Sequence, residues 1–448
     1  MSRLNKLSKK DMFLIALPGV AMSLMIVVDT GLMKYFTDVL GVSPSIFGRV
    51  MSLMIIATIA NNLLGGYITD KIGNYAKLIK ISLPVIMVLA ISIFLIQGTW
   101  NDNLIFLSLL VIYFMYDLSK LIFTMNYMSY ILNVTSDTSE RTEIAAYKSY
   151  LGFLPAAINS LIPVFMFTGN YSKETIVTVF ITCIIVGFIL SMFSLRVINK
   201  NMMVNNSKEK RITMDDIIKS LKMIIKSKSF VLYFIVIFIV NGIASAYYTM
   251  YLYYMEDVAK AVEIFAALPD ILGAIVQFII FGVSVKFVSK FGSRDSLKIG
   301  LLITAVCYVG LAFAPNYYFV TVLYALTMVG IAFFYILQVP LLGTIIDLDE
   351  LETGKRKSGT IIAINSIIMG MGFNAVNAIF AFILNTINYD GNLVTQSVET
   401  VKNLKISIGL FPATALIVAV IMIHLLPLDK KREKEIEEQI LAKHNSEQ

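Results

Sequence analysis

The sequence predicts an all-α integral membrane protein with twelve transmembrane helices in two pseudo-symmetric bundles of six. Hydrophobic residues make up 57% of the 448 residues, and the mean hydropathy is +0.78. Apolar runs of about 20 residues recur along the chain, a length that crosses the hydrocarbon core of a bilayer. A backbone in lipid must satisfy its own hydrogen bonds, and the alternating pattern of barrel strands is absent, so each run is predicted to be a helix.

Each predicted helix is one such run between polar or charged segments. The runs lie near 12–35, 46–70, 78–98, 104–132, 145–168, 175–197, 229–254, 263–287, 299–315, 317–346, 358–385 and 406–427. The longest polar stretch falls between the sixth and seventh runs and contains an amphipathic segment, which predicts a surface helix. The predicted domains are an N-terminal six-helix bundle, a cytoplasmic linker with that helix, a C-terminal six-helix bundle and a charged cytoplasmic tail: 1–198, 199–228, 229–428 and 429–448. We expect the tail to be a solvated helix.

The net charge of +7 is explained by topology. About 30 Lys and Arg residues fall on the side that holds the N-terminus, and about four fall on the opposite side. The positive-inside rule then places both termini in the cytoplasm of a protein in the cell membrane, with the lipid bilayer as its environment. The basic excess therefore does not indicate nucleic-acid binding. The chain has two Cys and two His residues, and no metal-ligand cluster or cofactor is predicted.

A motif recurs after the second span of each half. The segment Gly66-Tyr67-Ile68-Thr69-Asp70-Lys71-Ile72-Gly73 has a counterpart in Val285-Lys286-Phe287-Val288-Ser289-Lys290-Phe291-Gly292. Lys and Gly recur in register. Two parallel halves related by an axis along the membrane normal are characteristic of one architecture of secondary transporters.

Five charged residues lie inside predicted spans: Asp29, Asp117, Lys120, Lys148 and Asp270. A charge near the bilayer centre costs about 2.5–3.5 kcal/mol on insertion scales, so a retained charge suggests a functional site. Asp117 and Lys120 are three residues apart on one helix face, where they can pair. The alternative for Asp117 and Lys120 is a structural ion pair. For Asp29 and Asp270 the alternative is solvation near a membrane surface, and for Lys148 it is snorkelling of the ammonium to the interface.

Neutral polar and aromatic residues also fall in the spans of the C-terminal half. They include Tyr247, Tyr248, Tyr251, Tyr253 and Tyr254 in span 7, Tyr335 and Gln338 in span 10, and Asn365 in span 11. Aromatic rings that stack on a sugar, with amides that bond its hydroxyls, would suit a carbohydrate. The alternative for the span 7 tyrosines is an aromatic belt at the outer membrane surface.

Several motifs carry a family resemblance. The loop pattern Gly66-x-x-x-Asp70-Lys71-x-Gly73 resembles that of the major facilitator superfamily, where it joins helices 2 and 3. Three further stretches narrow the match: Tyr35 to Gly41, Asp347 to Arg356, and Leu426-Pro427-Leu428 with the charged tail. These resemble the glycoside–pentoside–hexuronide:cation symporter family, the group that includes the bacterial melibiose permease. The resemblance implies alternating access around a central site, with gates formed by the loop pattern and by Asp347 and Arg356. It also implies close helix packing at Gly66.

The resemblance also implies site residues. The family's cation-site acids and Asn on helix 2 fall here on Thr58, Asn61 and Asn62. Its sugar-binding acid and Trp on helix 4 fall on Thr124 and Met128, and a basic residue of helix 5 falls on or beside Lys148. The acids of both sites are therefore replaced, which argues against Na+ coupling because Na+ prefers anionic oxygens.

Spans 1, 4 and 5 line the N-terminal cavity in that family, which implies that Asp29, Asp117 and Lys120 meet there. Together with Thr124, Met128, Lys148, Tyr335, Gln338 and Asn365 they are the predicted substrate site. An Asp balanced between burial and a nearby Lys can take up and release a proton, so H+ is the candidate coupling ion.

The predicted function is secondary active transport of a small polar solute, of the sugar or glycoside class by resemblance, carried out by a monomer. One alternative is an exporter or carrier of an amphipathic compound such as a lysolipid, drug or peptide. Another is a solute sensor that does not transport. An enzyme is not predicted, because no nucleophile–base pair is evident.

Overall fold

The computed structural model describes most of the chain. The residues described are 8–25, 27–72, 74–134, 144, 147, 151, 155, 158–169, 171–200, 227–353, 358–393 and 395–447.

The described chain is almost entirely helical. In chain order the α-helices are α1 (Lys9–Met25), α2 (Val27–Lys34), α3 (Pro44–Ile72), α4 (Tyr75–Ile93), α5 (Asp102–Val134), α6 (Ile158–Thr168), α7 (Lys173–Lys200), α8 (Lys228–Tyr253), α9 (Glu263–Phe291), α10 (Ser293–Phe313), α11 (Tyr317–Thr353), α12 (Ser358–Thr386), α13 (Val398–Leu425) and α14 (Lys430–Glu447).

Eleven spans among the described residues are long and apolar enough to cross a membrane. The first comprises α1, α2 and a short π-helical segment, Lys9–Val39. The predicted fifth span is described mainly by the shorter apolar helix α6. The prediction of an all-α integral membrane protein is confirmed.

The chain divides into two compact units. The first contains residues 1–211 and 390–392, and the second contains 212–389 and 393–448. In the first, α1 packs on α7, and α3 and α4 pack on α5. In the second, α10 packs on α11 and α13, α9 packs on α11, and α8 packs on α12. The predicted linker helix lies outside the described residues, and the predicted domain limits stay a prediction.

Both units contain a π-helical segment at the end of their first long helix, a repeat that the sequence analysis missed. The segments are Tyr35–Val39 and Tyr254–Val258. In the first, the Leu40 amide donates to the Tyr35 carbonyl at 3.1 Å, and in the second, Ala259 donates to Tyr254 at 2.8 Å. Such segments are rare and widen a helix locally. The shared conformation indicates that the two halves are structural repeats of each other.

The tail helix α14 is docked on the second unit. Ile436 and Ile440 are four residues apart, and only 1% and 7% of their surfaces are exposed. The helix contacts α10 and α11. The tail is therefore a helix with an exposed charged face, as expected, but its apolar pair is buried against the unit, which the sequence analysis did not predict.

Candidate functional site

The structure brings Asp29, Asp117 and Lys120 together in the first unit. The Lys120 ammonium, on α5, lies 2.7 Å from an Asp29 carboxylate oxygen on α2. It lies 3.8 Å from a carboxylate oxygen of Asp117, one turn earlier on α5. One ammonium therefore serves two carboxylates, with the shorter contact to Asp29. The role of the three residues in binding stays a prediction.

One of the three predicted coupling residues joins this group. The Asn61 amide, on α3, donates to Asp117 at 2.9 Å. Thr58 donates to the Met54 carbonyl at 2.9 Å, and Asn62 donates to the Thr58 carbonyl at 2.8 Å, both within α3. The Asn61 side chain thus faces α5, whereas Thr58 and Asn62 donate to carbonyls of α3 itself.

Two tyrosines that the sequence analysis missed complete the group. The Lys120 nitrogen lies 4.5 Å from the ring centroid of Tyr116 and 5.8 Å from that of Tyr113. Both rings are buried. An ammonium over an aromatic face is stabilised by the ring quadrupole. The helical spacing of 113, 116 and 120 places all three on one face, which is a signal that the sequence contains.

We call this set the Lys120 cluster: Asp29, Asn61, Tyr113, Tyr116, Asp117 and Lys120. Its carboxylates outnumber its ammonium groups by one. The exposed fraction of the side chain is 20% for Asp29, 31% for Asp117 and 17% for Lys120, so the cluster is mostly buried but still accessible to water. Coulomb interactions are stronger in such a setting than in water.

The cluster keeps unused hydrogen-bonding capacity. One carboxylate oxygen of Asp29, the amide oxygen of Asn61 and the hydroxyl of Tyr116 have no hydrogen-bond partner among the described residues. Buried polar atoms are normally satisfied, and each unsatisfied one costs about 1–3 kcal/mol. Because these atoms are buried in this conformation, they can bond to a polar molecule only when the cluster opens further. Within the described part of the chain, no group of three or more His, Cys, Asp or Glu residues is placed to hold a metal ion.

The other predicted site residues of α5 lie farther along the helix. Thr124 and Met128 come about one and two turns after Lys120, and both side chains are exposed. Lys148 lies outside the described residues.

The predicted site residues of the second unit form a smaller group around Tyr233, which was also missed. The Tyr233 hydroxyl donates to the Gln338 carbonyl at 3.2 Å and lies 3.3 Å from the Asn365 side-chain oxygen. Tyr335 on α11 is 42% exposed. The buried hydroxyl therefore contacts the backbone of Gln338 and the side chain of Asn365, and the Tyr335 ring is accessible.

The tyrosines at the end of α8 and at the start of the π-helical segment that follows it are interior residues of the second unit. The rings of Tyr247, Tyr251 and Tyr254 contact that of Tyr324 on α11, with centroids 5.9, 4.9 and 5.3 Å apart. All four are at most 1% exposed, which excludes the aromatic belt for them. Asp270 on α9 is also buried, at 6%, so its predicted solvation near the surface is wrong.

The gate residues are only partly described. A Cβ added to Gly66 would meet nothing within 4 Å in the described part of the chain, whereas one on Gly65 would lie 3.4 Å from Leu121. The close packing expected at Gly66 is therefore wrong, and its neighbour faces α5 instead. Asp347 is half-buried. The side chains of Asp70 and Lys71 lie outside the description, as do Gly73 and Arg356.

A protein-family comparison identifies the fold and the class of function. The model of the MFS/sugar transport protein family, where MFS stands for major facilitator superfamily, matches residues 13–430. The chain belongs to this family. It is 24% identical over 426 residues to "Uncharacterized symporter YnaJ" of Bacillus subtilis (strain 168), covering 91% of this chain and 89% of that protein. It is thus a multi-pass membrane protein and a secondary transporter of the major facilitator type. Because the family and the relative are transporters, the prediction that it is not an enzyme is confirmed.

Solved structures agree with this family fold. The nucleoside transporter NupG superimposes with a TM-score of 0.67 at 14% identity, covering 93% of this chain and 98% of that one. A D-xylose-proton symporter gives a TM-score of 0.62 at 13% identity, covering 90% and 96%. At these identities the likeness concerns the fold alone, and it supports the predicted architecture of twelve helices in two bundles.

Proposed function

We propose that this transporter is a proton-coupled symporter of a neutral or amine-bearing sugar or glycoside, and that it works by alternating access. The observation that carries the proposal is the Lys120 cluster, which holds two carboxylates around one ammonium inside a membrane helix bundle. Charges kept in such a place mark substrate or proton pathways. The family description and the sequence resemblance to glycoside–cation symporters support the same class of cargo. Both termini are proposed to be cytoplasmic.

The charge of the cluster limits the cargo. With both Asp residues ionised and Lys120 protonated, its net charge is negative, so a sugar acid would be repelled. Sugar hydroxyls can donate to the unsatisfied oxygens of Asp29 and Asn61, and an amino group can pair with Asp117. Asp117 is the acid for this second role, because it is the more exposed and the more distant from Lys120.

We expect proteoliposomes that contain the protein to exchange a labelled neutral sugar or amino sugar in counterflow, and to exchange uronic acids at least about tenfold more slowly. Two like charges about 4 Å apart repel by about 1 kcal/mol in bulk water and about 4 kcal/mol near a protein surface. About 1.4 kcal/mol is already a factor of ten. The measurement uses a panel of labelled pentoses, hexoses, disaccharides, amino sugars and uronates.

Protein-free liposomes supply the background in that assay. Preferred exchange of uronates would contradict the assigned cargo class. Solute binding without exchange of any panel member would indicate a sensor, and efflux of lysolipids or peptides alone would indicate an exporter of amphipathic compounds.

Proton coupling predicts a specific defect in Asp117→Asn. We expect this variant to keep counterflow of a neutral sugar while uptake driven by a pH gradient falls about tenfold or more, because the substitution removes the one carboxylate in excess of the Lys120 ammonium. A protonophore should reduce wild-type uptake and leave the variant unchanged. Wild-type uptake that is unchanged by the protonophore would show that the proton is not the coupling ion.

A further inference from the structure

The junction between α9 and α10, which we define as Lys290 to Arg294, is the C-terminal copy of the repeated loop motif. In the structure this junction is covered by the start of the tail helix α14. Two polar contacts connect the two: the Ser293 amide donates to the Glu433 carboxylate at 3.2 Å, and the Lys430 ammonium donates to the Lys290 carbonyl at 3.4 Å. The Arg294 guanidinium also donates to the carbonyl of Leu426, the residue that follows α13, at 3.0 Å. The tail therefore contacts both sides of the junction.

The glycine of the motif is explained by this contact. Gly292 has a φ of +81°, a conformation that favours glycine. A Cβ at this position would lie 2.9 Å from the Lys430 Cβ and 3.1 Å from its Cα. The tail backbone thus packs directly against the junction, which leaves no space for a side chain there.

Glu433 is the residue that joins the tail to α10 electrostatically. Its carboxylate accepts one of the N-terminal amides of α10, which have no partner within their own helix, and a negative charge is favourable at that end. The second carboxylate oxygen is buried and has no hydrogen-bond partner among the described residues. Arg294 and Asp295 of α10 are the charged groups that act on it.

We propose that α14 is a strut that positions the α9–α10 junction for transport, with Glu433 as the positioning residue and Ile436 and Ile440 as its apolar anchor. In a transporter, a junction between two moving helices transmits their displacement, so its conformation affects the rate of the conformational cycle. The inference does not depend on the cargo or the coupling ion proposed above.

The first test is hydrogen–deuterium exchange of the full-length protein in nanodiscs, which needs no cargo. Glu433→Ala is expected to raise exchange at the amides of residues 293–296 about tenfold, the effect of losing one hydrogen bond to a charged group. Glu433→Gln, which can still accept the Ser293 amide, is expected to restore protection. Glu437→Ala, an exposed position on the same helix, is the matched control.

Ending the chain after Asp429 removes α14 and is expected to act like Glu433→Ala or more strongly. Exchange at 293–296 that stays at the wild-type level in both variants would overturn the strut.

Acidification supplies a second readout. The cost of burying the Glu433 charge outweighs the favourable contact with the Ser293 amide and raises the pKa of the Glu433 carboxyl above its ordinary value, so the docked tail binds a proton more tightly than a free one does. Docking is therefore stabilised as the pH falls through that raised pKa. Protection of the Ser293 amide, corrected for intrinsic exchange, should increase in the wild type as the pH falls from neutral toward the ordinary pKa of a Glu carboxyl, and it should stay flat in Glu433→Gln. A decrease in the wild type would contradict this.

Transport kinetics separate positioning from simple stability. With a sugar that the wild type transports, Glu433→Ala is expected to lower the maximal rate about fivefold and to leave KM within about twofold, because α14 belongs to the second unit and the Lys120 cluster to the first. Glu433→Gln should again restore the rate. A junction that loosens without any change in rate would limit α14 to a structural role and overturn its part in transport.

Discussion

Lys120→Met is expected to reduce transport about 100-fold. The substitution leaves the Asp29 and Asp117 carboxylates facing each other without the ammonium that lies 2.7 and 3.8 Å from them. Removing one member of a buried, hydrogen-bonded charge pair costs roughly 2–5 kcal/mol, and about 1.4 kcal/mol is a factor of ten. The contact of the ammonium with Tyr116 is lost as well. Initial rates of counterflow in proteoliposomes give the measurement.

Stability should fall less than activity in this variant. The three charged side chains are 17–31% exposed, so water screens part of the repulsion, and we expect the free energy of unfolding to drop by about 2 kcal/mol. A thermal unfolding scan of the purified protein shows this as a lower Tm. Lys402→Met, which removes an exposed lysine of α13, is the control and should leave both quantities unchanged.

A compensating variant separates charge balance from a specific role of lysine. Asp29→Asn combined with Lys120→Met removes the short ion pair and keeps the excess of one carboxylate, at Asp117. We expect its Tm to recover most of the loss, since no unpaired carboxylate faces another. Transport should recover only in part, because the ammonium over Tyr116 is still absent. A wild-type rate of transport by Lys120→Met would show that the Lys120 cluster is not part of the transport site.

The sequence predicts the helices of this protein well because span length and hydropathy depend on the bilayer rather than on tertiary contacts. It also predicts the Asp117–Lys120 pair, because residues three apart share a helix face. The contact of Lys120 with Asp29 required the family resemblance, since 91 positions separate the two. Sequence alone cannot decide which of two adjacent amides faces α5, because successive residues point about 100° apart around a helix. The structure selects Asn61.

The docked tail, the buried tyrosines and the π-helical repeat could not be predicted from the sequence, each for a physical reason. The docked tail depends on two isoleucines in a strongly charged segment, and charge outweighs them in any composition average. The burial of the α8 tyrosines follows from neighbours on α11 that are distant in sequence. The π-helical repeat was visible only as a pair of short Tyr-x-x-Asp-Val segments, 219 positions apart, which need the backbone to be recognised as equivalent. Each case depends on tertiary contacts or on backbone conformation.

The largest expected loss of stability comes from Gly372→Leu, at the crossing of α8 and α12. A Cβ on Gly372 would collide with the Phe238 carbonyl oxygen, and one on Gly242 would lie 2.6 Å from the Gly372 carbonyl oxygen. Small residues let the backbones of membrane helices approach this closely. Two hydrogen bonds depend on the approach: Asn241 donates to the Met369 carbonyl at 2.8 Å, and Thr249 donates to Asn377 at 3.2 Å.

A leucine at this crossing must push the two helices apart, because the colliding atoms belong to the backbone and cannot rotate away. Overpacking costs about 1–3 kcal/mol, and the two interhelical hydrogen bonds add about 1 kcal/mol in total. We therefore expect Gly372→Leu to lower the free energy of unfolding by about 3 kcal/mol and to give a broad or aggregated peak in fluorescence-detected size-exclusion chromatography. Gly282→Leu is the matched control, since a Cβ on Gly282 meets nothing within 4 Å of the described residues. A wild-type Tm in Gly372→Leu would show that α8 and α12 do not cross at these glycines.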